Sequence, residues 1–241
     1  MPKKGHNSPI IWGDKLFIAG ADARTKTIYC YNRVTGSVIW QKEADNIPGS
    51  PVTPPKTTDD TGLSAPTMTT DGINLYAIFG TGDIIAFDMD GNRLWAKNIG
   101  LPDNHYGHSS SLISLKEKLF VQFDTRKGGK LISLNGFTGE TVWEKTRNSK
   151  ISWASPILIP AGNSYHIILT SDPGVAAYNT ENGDELWFIK CLTGEVGPSA
   201  AFGEGLVFAA NEYATLAAID PQTKSIVWES NEYLPEVASP V

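Results

Sequence analysis

Short apolar and β-branched runs alternate with turns rich in Gly, Asn and Asp along the whole chain. No apolar stripe with the helical period of 3.6 residues is sustained anywhere. In the first copy of the pattern, strands are predicted at about 8–12, 15–20, 27–32 and 37–43. Tight turns of this composition favour antiparallel hairpins over crossover connections. The hydrophobic pattern therefore predicts an all-β chain.

This four-strand unit recurs five times. Each copy opens on Ser-Pro or a close variant and ends in apolar–Asp/Asn–turn–Gly–x–x–apolar–Trp, with one copy a residue shorter. The closing tryptophans are 55, 48, 44 and 41 residues apart and are Trp40, Trp95, Trp143, Trp187 and Trp228. Four antiparallel strands at such a period are typical of a β-propeller blade. We predict that these indoles are structural and pack between blades, each N–H on a carbonyl.

The repeat sets the predicted domain organisation. Blades are placed at about 8–48, 64–100, 109–148, 154–192 and 197–233, with an insertion at 49–63. The chain closes on Ala238-Ser239-Pro240-Val241, the phrase that opens each blade. We interpret residues 1–241 as a single, incomplete propeller domain with five complete blades and the start of a sixth. The whole ring would have seven or eight blades.

The turn before each closing tryptophan carries a glycine that we expect to adopt a positive φ. Gly36, Gly91, Gly139 and Gly183 occupy this place. Lys224 replaces glycine in the last copy, which predicts a turn that is either strained or differently built.

Composition excludes several function classes. With 20 basic and 26 acidic residues the net charge is −6, which argues against a nucleic-acid binder. No apolar run approaches the roughly 18 residues of a membrane span. The segment Met1–His6 is charged and has no apolar stretch, so we predict no signal peptide.

Cys30 and Cys191 lie far apart beside apolar residues and are predicted to be buried free thiols, with a disulfide or a catalytic cysteine as alternatives. No Cys/His cluster predicts a metal site.

The motif Asp/Asn-x-x-Thr-Gly-x-x-x-Trp after a Ser-Pro strand resembles the pyrroloquinoline quinone (PQQ) enzyme repeat over residues 8–241. That repeat builds quinoprotein dehydrogenases and BamB-type outer-membrane assembly lipoproteins. The resemblance implies a bacterial, extracytoplasmic protein, periplasmic or secreted, and it alone raises PQQ and calcium as cofactors. The chain lacks the adjacent cysteines of those dehydrogenases. Asp88–Asn92 looks superficially like a calcium loop, but Ile99 stands at its twelfth position.

Blade geometry sorts the loops, because those after the second and fourth strands emerge on one face. We call this the loop face and expect a ligand or a partner protein to bind there. Its candidate residues are His105, Tyr106, His108, Asp124, Arg126, Trp153, Asp172, Asn211 and Tyr213. His105 and His108 either bond backbone carbonyls or, with Asp124 or Asp172, hold a metal. Trp153 either stacks on a ligand or plugs the funnel.

The function predicted from these features is that of a binding or scaffold module that mediates protein or small-ligand interaction, with no assignable active site. A PQQ- and calcium-dependent dehydrogenase is the first alternative, and a carbohydrate-binding propeller is the second. The insertion at 49–63 either contacts a partner or is a surface excursion.

Overall fold

The computed structural model describes residues 3–241, which form twenty β-strands and no helix. Met1 and Pro2, part of the segment predicted not to be a signal peptide, lie outside the described residues. Since the described part of the chain is without helices, no helix in it could cross a membrane.

The strands form five separate four-stranded sheets, which confirms the predicted antiparallel blades. The first sheet consists of β1 (Ile10–Trp12), β2 (Lys15–Ala21), β3 (Lys26–Asn32) and β4 (Val38–Glu43). The second consists of β5 (Thr69–Thr70), β6 (Asn74–Ile78), β7 (Asp83–Asp88) and β8 (Arg93–Asn98). The third consists of β9 (Ile113–Leu115), β10 (Lys118–Thr125), β11 (Gly128–Asn135) and β12 (Thr141–Arg147). The fourth consists of β13 (Ile157–Ala161), β14 (Ser164–Ser171), β15 (Gly174–Asn179) and β16 (Glu185–Lys190). The fifth consists of β17 (Ala201–Gly203), β18 (Leu206–Ala210), β19 (Leu216–Asp220) and β20 (Ser225–Ser230).

The middle two strands of each blade carry the core. In β6 every residue is buried, and β7 is buried from Asp83 to Phe87, whereas β4 exposes five of its six residues. The middle strands are buried on both faces because neighbouring layers cover both, while the outer strand lies mostly in solvent.

Contacts between Cα atoms divide the chain into two compact units. The first holds the residues up to 121 and Ser133–Val142, and its core includes Phe17, Ile28, Leu75 and Phe87. The second holds Gln122–Ile132 and Trp143–Val241, and the hydrophobic side chains of its core include Ile159, Ile168, Val207 and Ile219.

Two of the repeat tryptophans show how one blade joins the next. Trp40 Nε1 donates to the Met89 carbonyl at 3.1 Å, and Trp95 Nε1 donates to the Gly136 carbonyl at 2.7 Å. Each indole thus buries its ring while its N–H is satisfied in the turn of the following copy. Trp187 is also buried, but among residues 3–241 its Nε1 has no hydrogen-bond acceptor, so the predicted bond to a carbonyl is wrong for this indole. Trp143 is half-buried, and Trp228 is 45% exposed.

The Ser-Pro motif supplies a second junction near the first strand of each blade. In each junction a backbone N–H of one copy donates to the hydroxyl at the same place in the next copy. The pairs are Ser8 to Thr67 (3.0 Å), Thr67 to Ser111 (3.0 Å), Ser155 to Ser199 (2.8 Å) and Ser199 to Ser239 (3.0 Å). The recurrence of a hydroxyl residue in this motif therefore has a hydrogen-bonding reason.

The turn glycines adopt the predicted left-handed conformation. Gly36, Gly91, Gly139 and Gly183 have φ of 70°, 81°, 73° and 73°, and Lys224 has φ of 56°. The Lys224 N–H donates to the Asp220 carbonyl at 2.8 Å, as that of Gly36 does to Asn32 at 2.9 Å. The last turn is therefore built like the others, and of the two predicted alternatives the strained one holds.

Candidate functional site

Each blade places an Asp or Asn at the hairpin between its second and third strands, on the predicted loop face. Four of them stand at equivalent places at the end of the second strand, namely Asp22, Asp124, Asp172 and Asn211, whereas Asp83 opens the third strand of the second blade. All except Asp22 are buried. Their partners decide whether the oxygens are available to a ligand.

Asp83 is enclosed by partners that all belong to the first unit. Its Oδ2 accepts from Thr81 Oγ1 at 2.6 Å and Ser50 Oγ at 2.8 Å, and it pairs with Lys26 Nζ at 2.9 Å. Its Oδ1 accepts from Asn98 Nδ2 at 2.8 Å. This carboxylate fastens the start of the insertion to the second blade.

Asp124 is the centre of a buried network in the second unit. Its Oδ1 pairs with Arg147 Nη1 at 2.5 Å and accepts from Ser149 Oγ at 3.0 Å. Its Oδ2 accepts from Ser152 Oγ at 2.6 Å and Gln122 Nε2 at 2.7 Å. Both carboxylate oxygens of the predicted site residue Asp124 are therefore occupied by hydrogen bonds from within the protein.

Asp172, Asn211 and Tyr213 come together around the turn Thr193–Gly194. Asp172 Oδ2 pairs with Lys150 Nζ at 3.1 Å and accepts the Gly194 N–H at 2.9 Å, while Asn211 Nδ2 donates to the Thr193 carbonyl at 2.7 Å. A Cβ on Gly194 would lie 3.3 Å from the Tyr213 ring.

Tyr213 is the accessible member of this group, at 67% exposed. A hydrogen bond to Glu212, together with the charges of Glu236 and Glu195, raises the pKa of its phenol. The phenol therefore stays protonated at neutral pH, with its single O–H donated to the Glu212 carboxylate.

The predicted histidine pair separates into two environments. His105 is exposed, and its ring centroid lies 6.0 Å from that of Tyr106. His108 is buried, and its ring Nε2 lies 2.9 Å from the Ser110 carbonyl. The backbone N–H of His108 donates to the Gly80 carbonyl at 3.0 Å. His108 thus has the carbonyl-bonded arrangement that was one of the two predicted roles.

The two remaining candidates lie in the second unit. Arg126 is exposed at the tip of the β10–β11 hairpin. Trp153 is half-buried, and its backbone N–H donates to the Val196 carbonyl at 2.9 Å. Among residues 3–241 no three His, Cys, Asp or Glu side chains are grouped as metal ligands would be.

Sequence reasoning identified the insertion but not the pocket that it forms. Two cavities of about 280 Å³ each lie beneath it in the first unit. One is lined by the loops 22–26 and 43–47 and by Ser50–Val52, and the other by residues 4–6 and 57–59. They share four lining residues, so we treat them as one insertion groove; these are Asp22, Ala23, Pro54 and Leu63.

The insertion groove has a fixed floor and an accessible rim. Backbone hydrogen bonds hold both ends of the insertion: Asn98 N–H donates to the Pro48 carbonyl at 3.1 Å and Gly80 N–H to the Leu63 carbonyl at 2.9 Å. Val52 projects from the insertion into solvent, fully exposed. A fixed frame that presents an apolar side chain on a proline-rich loop suits recognition of a partner protein.

Charges on the groove walls are mixed. The N–H groups of Arg24 and Thr25, with the Lys3 ammonium, lower the pKa of Asp22 to about 2. Arg24 in the β2–β3 hairpin and Glu43 at the end of β4 line the same cavity. The groove therefore offers both signs of charge beside an apolar rim, which gives it no preference for a purely anionic or cationic ligand.

The residues do not fit the PQQ and calcium chemistry raised by the resemblance. Cys30 is a buried free thiol, as predicted, whereas Cys191 is a free thiol that is only half-buried, and the two belong to different units. In the loop that looks superficially like a calcium site, Lys15 Nζ lies 2.6 Å from the Met89 carbonyl and 3.1 Å from Asp90 Oδ1. An ammonium group thus occupies the oxygens that a cation would need.

Comparison with known proteins identifies the fold. A family model described as outer membrane protein assembly factor BamB matches residues 2–157 and 171–232. The crystal structure of BamB from Moraxella catarrhalis has a TM-score of 0.68 at 17% identity, over 92% of this chain and 60% of that chain. A quinohemoprotein alcohol dehydrogenase from Comamonas testosteroni has a TM-score of 0.68 at 12% identity, over 95% of this chain and 43% of that chain.

The chain thus spans 43–60% of the length of these two structures. The computationally designed Ika8 protein is also similar, with a TM-score of 0.61 at 12% identity over 97% of this chain and 64% of that chain. No curated protein sequence matches the chain. These likenesses confirm the predicted β-propeller fold.

Proposed function

Because this chain belongs to the family of the outer membrane protein assembly factor BamB, we propose that it is a scaffold propeller that binds a partner protein during outer-membrane protein assembly. Its place of action would then be extracytoplasmic. The proposal concerns binding rather than catalysis, since a fold of this kind hosts both.

The insertion groove is the observation that carries the proposal. It is a recess with an anchored frame, and the exposed Val52 on its rim has no packing role within the chain. Apolar side chains held on a rigid frame are typical anchors for a partner, because little conformational entropy is lost when they are covered.

Site-specific photocrosslinking tests this proposal. A photoreactive amino acid is placed at Val52 in one variant and, as a matched control, at Val34 in another. Val34 lies in the β3–β4 turn of the same unit and is 76% exposed. We expect a crosslink from position 52, and none from position 34, to a component of the outer-membrane assembly machinery in envelope preparations of the source bacterium. Crosslinks at neither position, or equally at both, would contradict the proposal.

The dehydrogenase alternative has its own test. Purified protein is mixed with PQQ and Ca²⁺, and the quinone absorbance and dye-linked oxidation of alcohols are followed. We expect neither a spectral shift nor dye reduction. Clear turnover would replace the scaffold proposal with the enzyme.

A further inference from the structure

A cavity of about 170 Å³ lies against the fourth blade, within the second unit. Its walls include Arg147 from the end of β12, Ala176 and Tyr178 from β15, and Glu185 and Phe188 from β16. Ligand pockets for whole small molecules are usually about 300–1,000 Å³. This one is the size of a single side chain.

A β-bulge turns two residues of β16 toward this cavity. Tyr178 pairs with Glu185, Ala177 with Trp187, and Ala176 with Phe188, so Leu186 is the extra residue of the bulge. Glu185 and Phe188 therefore stand two ladder positions apart on one face of the sheet, although they are three residues apart in sequence. Without the bulge the carboxylate and the ring would face opposite ways.

The positive charge in the cavity wall is already neutralised. The buried Arg147 guanidinium pairs with Asp124 through Nη1, donates to Ser171 Oγ at 3.1 Å through Nη2, and donates to the Tyr178 hydroxyl at 3.3 Å through Nε. Its charge and that of Asp124 cancel within the buried network.

The negative charge in the wall is not neutralised. Glu185 Oε2 accepts from the Tyr178 hydroxyl at 3.2 Å, and within residues 3–241 no Lys, Arg or His side chain pairs with it. Lys190 is, within the described residues, an unpaired cation on the same face of β16, where it pairs with Gly174 in the ladder. It lies four ladder positions from Glu185, which is roughly 13 Å at about 3.3 Å per residue. At that separation its charge is largely screened.

The combination of groups is specific to this blade. At the place of Glu185 the other copies carry Val38, Arg93, Thr141 and Ile226, and at the place of Phe188 they carry Gln41, Ala96, Glu144 and Glu229. The repeat itself therefore does not require an acid and an aromatic ring here. Phe188 is nevertheless 43% exposed, which costs hydrophobic free energy in the free protein.

We propose that this cavity is a binding subsite for an arginine side chain of a partner protein. The guanidinium would pair with the Glu185 carboxylate and stack on the Phe188 ring, a combination that Arg satisfies better than Lys because it is planar and forked. The site lies outside the insertion groove, so it stands or falls independently of the scaffold function proposed above.

Titration with two short peptides tests the subsite. The probes are acetyl-Gly-Arg-Gly-amide and the same peptide with citrulline, which keeps the shape of arginine and removes its charge. NMR shifts of the Tyr178 and Phe188 ring resonances report binding, expected in the millimolar range for a single side chain. We expect the arginine peptide to bind about tenfold more tightly than the citrulline peptide, as one charge-assisted contact provides.

Variants separate the proposed contacts from general effects. Glu185→Gln should remove the preference for arginine, and Phe188→Leu should weaken the arginine peptide about threefold by loss of the ring contact. Glu140→Gln, at an exposed acid in another copy, should change nothing. Equal affinity for the two peptides, no saturable shift of the ring resonances, or an unchanged preference in Glu185→Gln would each overturn the proposal.

Discussion

Buried ions account for much of what polar residues do in this protein. Asp124 and Arg147 expose 0% and 2% of their side chains, and each is surrounded by hydrogen-bonding partners. Removing one ion of a buried pair leaves the other without compensation, which costs far more than the pair contributes. Asp83 with Lys26 repeats this arrangement in the other unit. At the residue scale, the acids of the hairpin loops are thus structural groups first.

Replacing Asp124 by Ala should therefore destabilise the protein severely. The variant buries the Arg147 charge unpaired, and we expect the free energy of unfolding to fall by about 3–5 kcal/mol in urea titrations. In the double variant Asp124→Leu with Arg147→Met, part of this loss should be recovered, because no charge is left unpaired although Ser149, Ser152 and Gln122 lose an acceptor. A single-variant loss below about 1 kcal/mol, as for an exposed pair, would contradict the buried role.

Asp22 should make the stability depend on pH in the acid range. Because its pKa is lowered to about 2 in the folded state from an ordinary value of 3.8, its ionised form stabilises the fold above about pH 4, and this contribution is lost as the pH falls through about 2. The effect should be small, since the side chain is half exposed. The free energies of unfolding of Asp22→Ala and wild-type protein, measured by chemical denaturation, should therefore differ at pH 6 and converge near pH 2. A difference between the two proteins that grew in acid would contradict this stabilising role of Asp22.

At the scale of the element, one turn performs two tasks. The glycine before each of the first four closing tryptophans adopts a positive φ, and in the second to fourth copies it also lies against the indole of the preceding blade. A Cβ at Gly139 would lie 2.5 Å from the Trp95 ring, whereas a Cβ at Gly36 would meet nothing within 4 Å. Lys97, two residues after Trp95, also bonds this turn of the next blade, since its Nζ donates to the Gly139 carbonyl at 3.0 Å.

Alanine substitutions at two equivalent glycines should separate the tasks. Gly36→Ala tests only the left-handed backbone and should cost about 1 kcal/mol. Gly139→Ala adds an indole clash and should cost about 1–3 kcal/mol more by overpacking. Chemical denaturation of both variants gives the comparison. Equal losses would show that the indole shifts freely and that the turn serves only the backbone.

The lysine in the last of these turns gives the opposite prediction. Lys224→Gly should stabilise the protein by about 0.5–1 kcal/mol, because the relief of left-handed strain exceeds the entropy that glycine adds to the unfolded chain. Lys190→Gly, at an exposed position in β16, is the matched control and should destabilise. If both variants lose stability in thermal and urea unfolding, the strain at Lys224 is relieved elsewhere.

At the scale of the whole molecule, the sequence predicts strands and turns well, but it does not predict which segments far apart in the chain come into contact. Strands and turns follow from periodicity and turn chemistry, which are local, and the four strands of the first copy lie within two residues of their predicted bounds. The partners of Asp83 and the walls of the insertion groove come from segments tens of residues apart. Neither has a signature in a single sequence, because each depends on which segments the fold brings together. The bulge that turns Glu185 and Phe188 to one face, in contrast, recurs at the same place in three other blades and therefore belongs to the repeat.

The two cysteines allow the opening of each compact unit to be followed separately. Cys30 belongs to the first unit and Cys191 to the second, and burial raises the pKa of each thiol to about 11. At pH 8 only about one thiol in a thousand is then the reactive thiolate, so native labelling by a maleimide should be slow at both. The labelling rate of each thiol then reports how often the structure around it opens locally, and this frequency differs between parts of a repeat structure. Asp124→Ala should speed labelling at Cys191 more than at Cys30, and Gly139→Ala should do the reverse, as read by mass spectrometry of digested protein. Equal acceleration of both thiols by both variants would mean that the chain opens as one cooperative unit.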